Sequence, residues 1–275
     1  MLCFYPGLGG IEFYTQELVQ KGFTVFGTQR VCSVARLKEY GHSVITVGKR
    51  KHMYIAAIPS SKTVEMASLF SNLFDIDTTP LPNYINVTLT PSNPILHTTR
   101  LFVLFKDFVG QGYKELPLFY ENWDDESSKL LIACDLELQN ICKEIRGLDT
   151  SYVNSLLNHY ESSDYKTLTE KINSIESFRG LKTPSIEKDG LLYPDFDSRY
   201  FTADFPYGLV IVKAFALLTK VSTPNIDMVL NWYQEVTNKD FINGDKLGKD
   251  CYMISMPQNY GIETLKQLEE LYRNE

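Results

Sequence analysis

Short apolar runs broken by turn residues fill the first third of the chain, and longer periodicities of three and four residues fill the rest. Leu2 to Tyr5 is apolar and ends at Pro6 and Gly7, the pattern of a short strand. Ile11 to Lys21 sets Ile11, Tyr14, Leu18 and Val19 near one face and meets Gly22, which predicts a helix with a glycine stop. Phe23 to Phe26 predicts a second buried strand, so the opening reads as a βαβ unit of a parallel sheet. Ser43 to Val47 and Met53 to Ile58 flank Gly48-Lys49-Arg50-Lys51 and predict a hairpin with a charged turn. Ser61 to Phe74 predicts a helix with Ser61 as its cap, and Tyr84 to Leu89 a further strand.

From about Pro91 the period becomes helical. Between Lys129 and Arg146, residues Leu130, Leu131, Cys134, Leu138, Ile141, Cys142 and Ile145 build one broad buried face. Ser151 to Tyr160, Leu168 to Phe178, Leu209 to Leu218, Ile226 to Val236 and Ile262 to Leu271 predict further helices, with Asn225 as a cap. Thr183 to Pro206, rich in Pro, Asp, Tyr and Phe, reads as an ordered functional loop. The expected architecture is an α/β portion over residues 1–90 joined to an all-helical portion over residues 91–275.

Composition narrows the function. The 275 residues are 44% hydrophobic and 22% charged, which suits an ordered fold. A net charge of −7 speaks against nucleic-acid and anionic-membrane surfaces, yet is compatible with a local basic pocket for an anionic substrate. The cysteines Cys3, Cys32, Cys134, Cys142 and Cys251 are odd in number and scattered, without a Cys-x-x-Cys pair or zinc-ligand spacing, so no metal and a reducing cytoplasm are expected. Met1 to Gly10 lacks the basic start of a signal peptide, and Leu209 to Leu218 is too short to span a bilayer and contains Lys213. Asn86-Val87-Thr88 matches a glycosylation sequon but is expected to be part of a strand.

A strand, the glycines Gly7, Gly9 and Gly10, then a helix suggest a dinucleotide-binding turn. The fingerprint is incomplete, because Glu12 stands where Gly or Ala is needed and an anion there would repel phosphates. No acidic residue closes the next strand to hold a ribose; Arg30 lies nearby and would suit a 2′-phosphate.

Four phrases carry a more specific resemblance: Pro6-Gly7-Leu8-Gly9-Gly10-Ile11-Glu12-Phe13, Phe26-Gly27-Thr28-Gln29-Arg30-Val31, Asn93-Pro94-Ile95-Leu96-His97, and Arg199 through Leu209, RYFTADFPYGL. In order and spacing they resemble the opine dehydrogenases, the octopine/nopaline dehydrogenase family, over nearly all of the chain. The resemblance implies part of a Rossmann-like sheet followed by a helical domain similar to that of hydroxyacid and 6-phosphogluconate-type dehydrogenases. It implies that Met1 falls within the family's cofactor domain, after the phosphate-binding glycine loop. Gly7, Gly9 and Gly10 would then form a later βα turn that, with Asn93, borders NAD or NADP. The implied reaction condenses an amino acid with a 2-oxo acid and delivers hydride to the imine carbon.

His97 has the side chain suited to pass a proton near neutral pH, and the resemblance gives it the family's catalytic position. Asp204 is its expected partner, since a carboxylate fixes an imidazole's tautomer; read alone, it would cap a helix starting near Tyr207. Arg199 is implied to hold a substrate carboxylate, against an alternative ion pair with Asp195 or Asp197. Tyr200, Phe205, Tyr207 and Trp232 would wall a substrate pocket or belong to the core. His42, His52, His159 and the Gly48 to Lys51 cluster are expected to face solvent. The rival to an active enzyme is a non-catalytic remnant, or one piece of a split dehydrogenase, whose exposed sheet edge would be covered in a homodimer or by a complementing N-terminal fragment.

Overall fold

Strand β1 (Leu2–Phe4) pairs in parallel with β2 (Val25–Thr28), and the helical turns α1 (Ile11–Tyr14) and α2 (Gln16–Gln20) cross between them. The computed structural model describes residues 2–4, 10–90 and 92–273. The crossing helix is broken at Thr15, whose hydroxyl donates to the Ile11 carbonyl at 2.8 Å. The glycines Gly7 and Gly9 lie outside the described residues; Gly10, with φ +75°, packs its Cα on the Ser255 carbonyl so closely that a Cβ would stand 1.6 Å from the oxygen.

The hairpin expected between residues 43 and 58 does not form. Strand β3 (Ser33–Glu39) pairs antiparallel with β4 (Ser43–Lys49), while β5 (His52–Ile58) lies antiparallel to β2. Burial explains the choice. β5 is buried almost throughout and needs a partner on each side, whereas the exposed β3 and β4 form a separate two-stranded arm. After α3 (Thr63–Phe74), β6 (Asp77–Pro80) joins β5 in parallel, so the four-stranded sheet, ordered β1-β2-β5-β6, is mixed. Ser61 sits in a short 3₁₀ turn ahead of α3 and does not cap it. Along β5, Met53, Ile55 and Ala57 face Met66 and Phe70 of α3, while Ala56 and Ile58 join the main core on the other face.

Residues 84–89 are not a strand. Their central part is the buried turn α4 (Ile85–Thr88), held by Asn86, whose amide donates to Asn83 Oδ1 at 2.9 Å and to the Asp149 carbonyl at 2.8 Å. Ile85, Val87 and Leu89 alternate with Asn86 and Thr88 as in a strand, but the bonds of the buried Asn86 hold the segment as a helical turn.

Helix α5 (Ser92–Phe105) opens the helical portion and is buried from Pro94 to Leu101. It packs on α6 (Asp125–Glu144), whose first turn is capped by Asp124 accepting from Ser127 N. Within 151–160 only α7 (Leu156–His159) is helical, and α8 (Tyr165–Ser174) begins in a capping box set by Asp164 and Thr167. The stretch expected to be a loop from Thr183 to Pro206 contains a hairpin, β7 (Ser185–Lys188) with β8 (Leu191–Pro194), followed by α9 (Arg199–Thr202).

A π turn over Phe205–Leu209 runs into α10 (Val210–Thr219). By length and composition, 199–219 would reach across a membrane, but 72% of its apolar window is buried inside the protein, and Lys213 pairs there with Asp227 at 2.7 Å. α11 (Pro224–Thr237) is not capped by Asn225; the buried Glu137 of α6 accepts from the backbone N–H of Asn225 at 2.8 Å and of Ile226 at 3.0 Å. The small pair β9 (Ile242–Asn243) and β10 (Lys246–Leu247) precedes α12 (Leu265–Arg273).

One hydrophobic core joins the two portions, with Phe13, Val25 and Ile58 in the same cluster as Leu101, Leu131 and Phe215. Glu12 turns inward instead of facing the glycine turn. Fully buried, it accepts from Thr88 Oγ1 at 2.7 Å and from the Tyr272 hydroxyl, and its burial raises its pKa.

Candidate active site

His97 lies in the second turn of α5, where the helix crosses the π turn. The crossing is close because residue 208 is glycine: a Cβ there would stand 2.4 Å from Pro94 Cβ and Cγ. Leu209 N donates to the Asp204 carbonyl at 3.0 Å, the five-residue step of the π turn, and the widened turn leaves the Asp204 side chain free to reach α5. Asp204 thus occupies the cap position without capping through its side chain.

His97 Nδ1 donates to Asp204 Oδ2 at 2.7 Å. A carboxylate only accepts, so this bond puts the proton on Nδ1 and leaves Nε2 as acceptor for the Tyr120 hydroxyl, 2.6 Å away. Tyr120 keeps its proton, because burial pushes its phenol well above the ordinary value. Phe119 and Tyr200 complete the surround, with ring centres 5.7 and 4.6 Å from the imidazole. His97 is 8% exposed, so the triad Asp204–His97–Tyr120 is nearly closed from water.

Arg100, one turn further along α5, has no exposure at all and ties down the loop that carries Tyr120. Its guanidinium donates to the carbonyls of Phe119 at 3.1 Å and Asn122 at 2.6 Å, to Ser127 Oγ at 3.0 Å, and to Asp124. The sequence reading missed both Tyr120 and Arg100, which belong to no motif. An arginine in the midst of an apolar helical run was the one available sign, since such a charge must be satisfied when buried.

The remaining expected site residues are dispersed around the triad. Arg199 is exposed and, among the described residues, forms no ion pair with Asp195 or Asp197, which sets the alternative reading of it aside. Tyr207 is 37% exposed, Asn93 is exposed on the first turn of α5, and Tyr200 borders His97. Phe205 and Trp232 belong to the core. His42 and His52 are exposed as expected.

His159 and Arg50 are not simply solvent-facing. They line a cleft of about 460 Å³ together with Gln29, Arg30, Tyr152 and Asn154. Burial, and then the charges of Arg30 and Arg50, push His159 down to about 3, so it is neutral at pH 7. Arg30 falls to about 10, chiefly through burial. Asp135, on the far side of Arg30, is pushed up to about 6 by burial, and one of its oxygens has no hydrogen-bond partner.

A short mixed sheet, a buried helical portion and an imidazole fixed between a carboxylate and a phenol are the features of a dehydrogenase catalytic half. The family model for the α-helical domain of NAD/NADP octopine/nopaline dehydrogenase matches residues 80–237, and the chain belongs to this family. It is similar to the opine dehydrogenase of Haliotis discus hannai, 30% identical over 96% of the chain and 69% of that protein. Two solved structures of octopine dehydrogenase are also similar. One, with NADH and L-arginine, shares 26% identity with a TM-score of 0.84 over 97% of this chain and 70% of that one. The other, with NADH and pyruvate, shares 25% identity with a TM-score of 0.83 over the same shares.

Proposed function

We propose that the chain is the catalytic part of an NAD(P)-dependent opine dehydrogenase, joining the amine of an amino acid to a 2-oxo acid. The observation that carries the reading is the Asp204–His97–Tyr120 triad, in a family whose octopine dehydrogenase structures hold NADH with L-arginine or pyruvate.

The residues present fit a nicotinamide cofactor. β1 and β2 are parallel with a helix between them, and Thr28 Oγ1, buried at the end of β2, has no hydrogen-bond partner and would suit a cofactor amide. Gly10 and Asn93 would border the ring. Bound NAD(P)H supplies the hydride that reduces the imine carbon.

His97 is the acid and base of the reaction. Joining an ammonium to a ketone, with loss of water and gain of hydride, consumes one proton overall, and the ammonium must first give up a proton to become a nucleophile. Nε2 takes that proton once substrate displaces the Tyr120 hydroxyl, and returns one to the departing oxygen. Asp204 holds the tautomer and stabilises the imidazolium formed in between. Arg199, exposed and unpaired, receives the carboxylate of the oxo acid through its guanidinium fork, with Tyr207 alongside.

The test is oxidation of NADH and of NADPH by the purified chain with a panel of 2-oxo acids and amino acids. His97→Ala should lower turnover by about 10²–10⁴-fold. A wild-type chain inert toward every pair would overturn the reading.

A further inference from the structure

The cleft between Arg30 and Arg50 has no part in the His97 triad, and no ion pair holds its guanidinium groups among the described residues. β5 runs antiparallel to β2, so Gln29 and Arg30, just past β2, emerge at the same end of the sheet as Arg50, just before β5. The Gln29 backbone N–H, donating to the Tyr54 carbonyl at 3.0 Å, fixes this register. Open α/β sheets take ligands just beyond the carboxyl ends of their parallel strands, which is where the cleft of about 460 Å³ opens.

The lining is cationic in a protein of net charge −7. Arg50 donates through Nε to the Val31 carbonyl at 3.1 Å, and this bond fixes the direction of its guanidinium. Neither Arg30 nor Arg50 forms an ion pair among the described residues. His159 is neutral there and able to donate or accept, and Asp135 is the one carboxylate within electrostatic reach of Arg30. Burial is the largest influence on Arg30, and an anion added beside Asp135 would offset it further.

The cleft also adjoins the triad. Tyr160 feels the charges of Arg30 and Arg50 on one side, and Tyr120, which donates to His97, lies within reach of Tyr160 on the other. Ile95, two residues before His97, lines the smaller cavity that Arg30 and Asp135 share.

We propose that this cleft receives the side-chain carboxylate of the amine substrate, so that the preferred amino acid is dicarboxylic. The inference rests on the dehydrogenase reading and adds the substrate's charge. Two guanidinium groups lining one cleft match an oxyanion, with Asn154 as a further polar contact. A phosphate of the dinucleotide shares this chemistry, and the test separates the two sources.

The full chain, saturated with NADH, is titrated calorimetrically with L-glutamate, L-alanine and L-lysine, and separately with NADPH alone, as wild type, Arg50→Gln and Arg50→Lys. The expected result is that L-glutamate binds at least tenfold more tightly than L-alanine or L-lysine. Arg50→Gln should lower that selectivity about tenfold, and Arg50→Lys restore part of it. Loss of NADPH affinity in Arg50→Gln with the glutamate preference intact would assign the cleft to a phosphate and overturn the proposal. Equal binding of the three amino acids by wild type would overturn it too. Because this readout is binding, it decides the cleft separately from turnover: absent oxidation of NAD(P)H with all amines defeats the dehydrogenase reading, and absent glutamate preference defeats this one.

Discussion

The triad around His97 and the cleft around Arg30 hold their polar groups in opposite ways. Both imidazole nitrogens of His97 have short, directed partners, and the loop behind Tyr120 is tied down by a fully buried arginine. In the cleft, Arg30 and Arg50 form no ion pair among the described residues. A satisfied network is preorganised, its tautomer and orientation set before substrate arrives. An unsatisfied one stores unfavourable charge that only a ligand relieves. On the proposed reading, the contrast separates groups that perform a reaction from groups that select what enters it.

The contrast can be broken most severely at Asp204. Asp204→Asn keeps the shape but presents an amide able to donate to Nδ1, which releases the tautomer. Turnover should fall about 10²–10⁴-fold while KM changes little. An unchanged turnover number in steady-state assays would show that the Nδ1 contact does not orient the ring. Next comes Arg100→Ala, which strands the carbonyls of Phe119 and Asn122 inside the protein. It should cost about 3 kcal/mol in urea unfolding, and the Tyr120 loop should exchange its amides faster. A loss below about 1 kcal/mol would mean that the loop is held by its aromatic packing on Phe178 alone.

The smallest effect concerns acid sensitivity in the cleft. His159 titrates at about 3 when folded against an ordinary 6.5, so the unfolded chain binds its proton first and stability falls as pH drops from 6.5 toward 3. Asp135 has the opposite sign. Its folded value of about 6 exceeds the ordinary 3.8, so its contribution is full below 3.8 and is lost as pH rises through 6. His159→Gln should therefore remove about 2 kcal/mol of the stability loss between pH 7 and pH 5, measured as the difference in unfolding free energy from wild type. An identical pH slope in both proteins would place His159 in open solvent.

What the sequence made readable follows the range of the forces involved. Helices with a broad apolar stripe, such as α6 and α11, announce themselves locally, and so does a phrase such as Asn93 to His97. Pairing is not local. β5 could be seen as a strand, but its partners, β2 and β6, depend on how much of it is buried, and the charged turn at Gly48 to Lys51 pointed to the wrong neighbour. Residues 84–89 failed for a related reason: their alternation is that of a strand, and the bond of Asn86 to the Asp149 carbonyl that holds the helical turn is not local. Within the site, Asp204 was readable because it sits in a motif, whereas Tyr120 and Arg100 act through a loop whose position arises only in three dimensions. His159 was taken for a surface residue because a helix over Ser151 to Tyr160 would put it on a polar face, whereas the helix is a single turn and His159 lines the cleft beside Arg30 and Arg50.

The hydrogen bonds of Glu12 join helix α1 to α12, residues separated by 260 positions. Synthesis proceeds from the amino end, and domains ordinarily settle as they leave the ribosome. Here the Glu12 carboxyl group must wait until Tyr272 has been made. During that interval the first strands stand without the helix that closes over them. While those 260 residues are being made the α/β portion is open to premature association, and a chaperone that shields it would be needed longest where ribosomes move slowest.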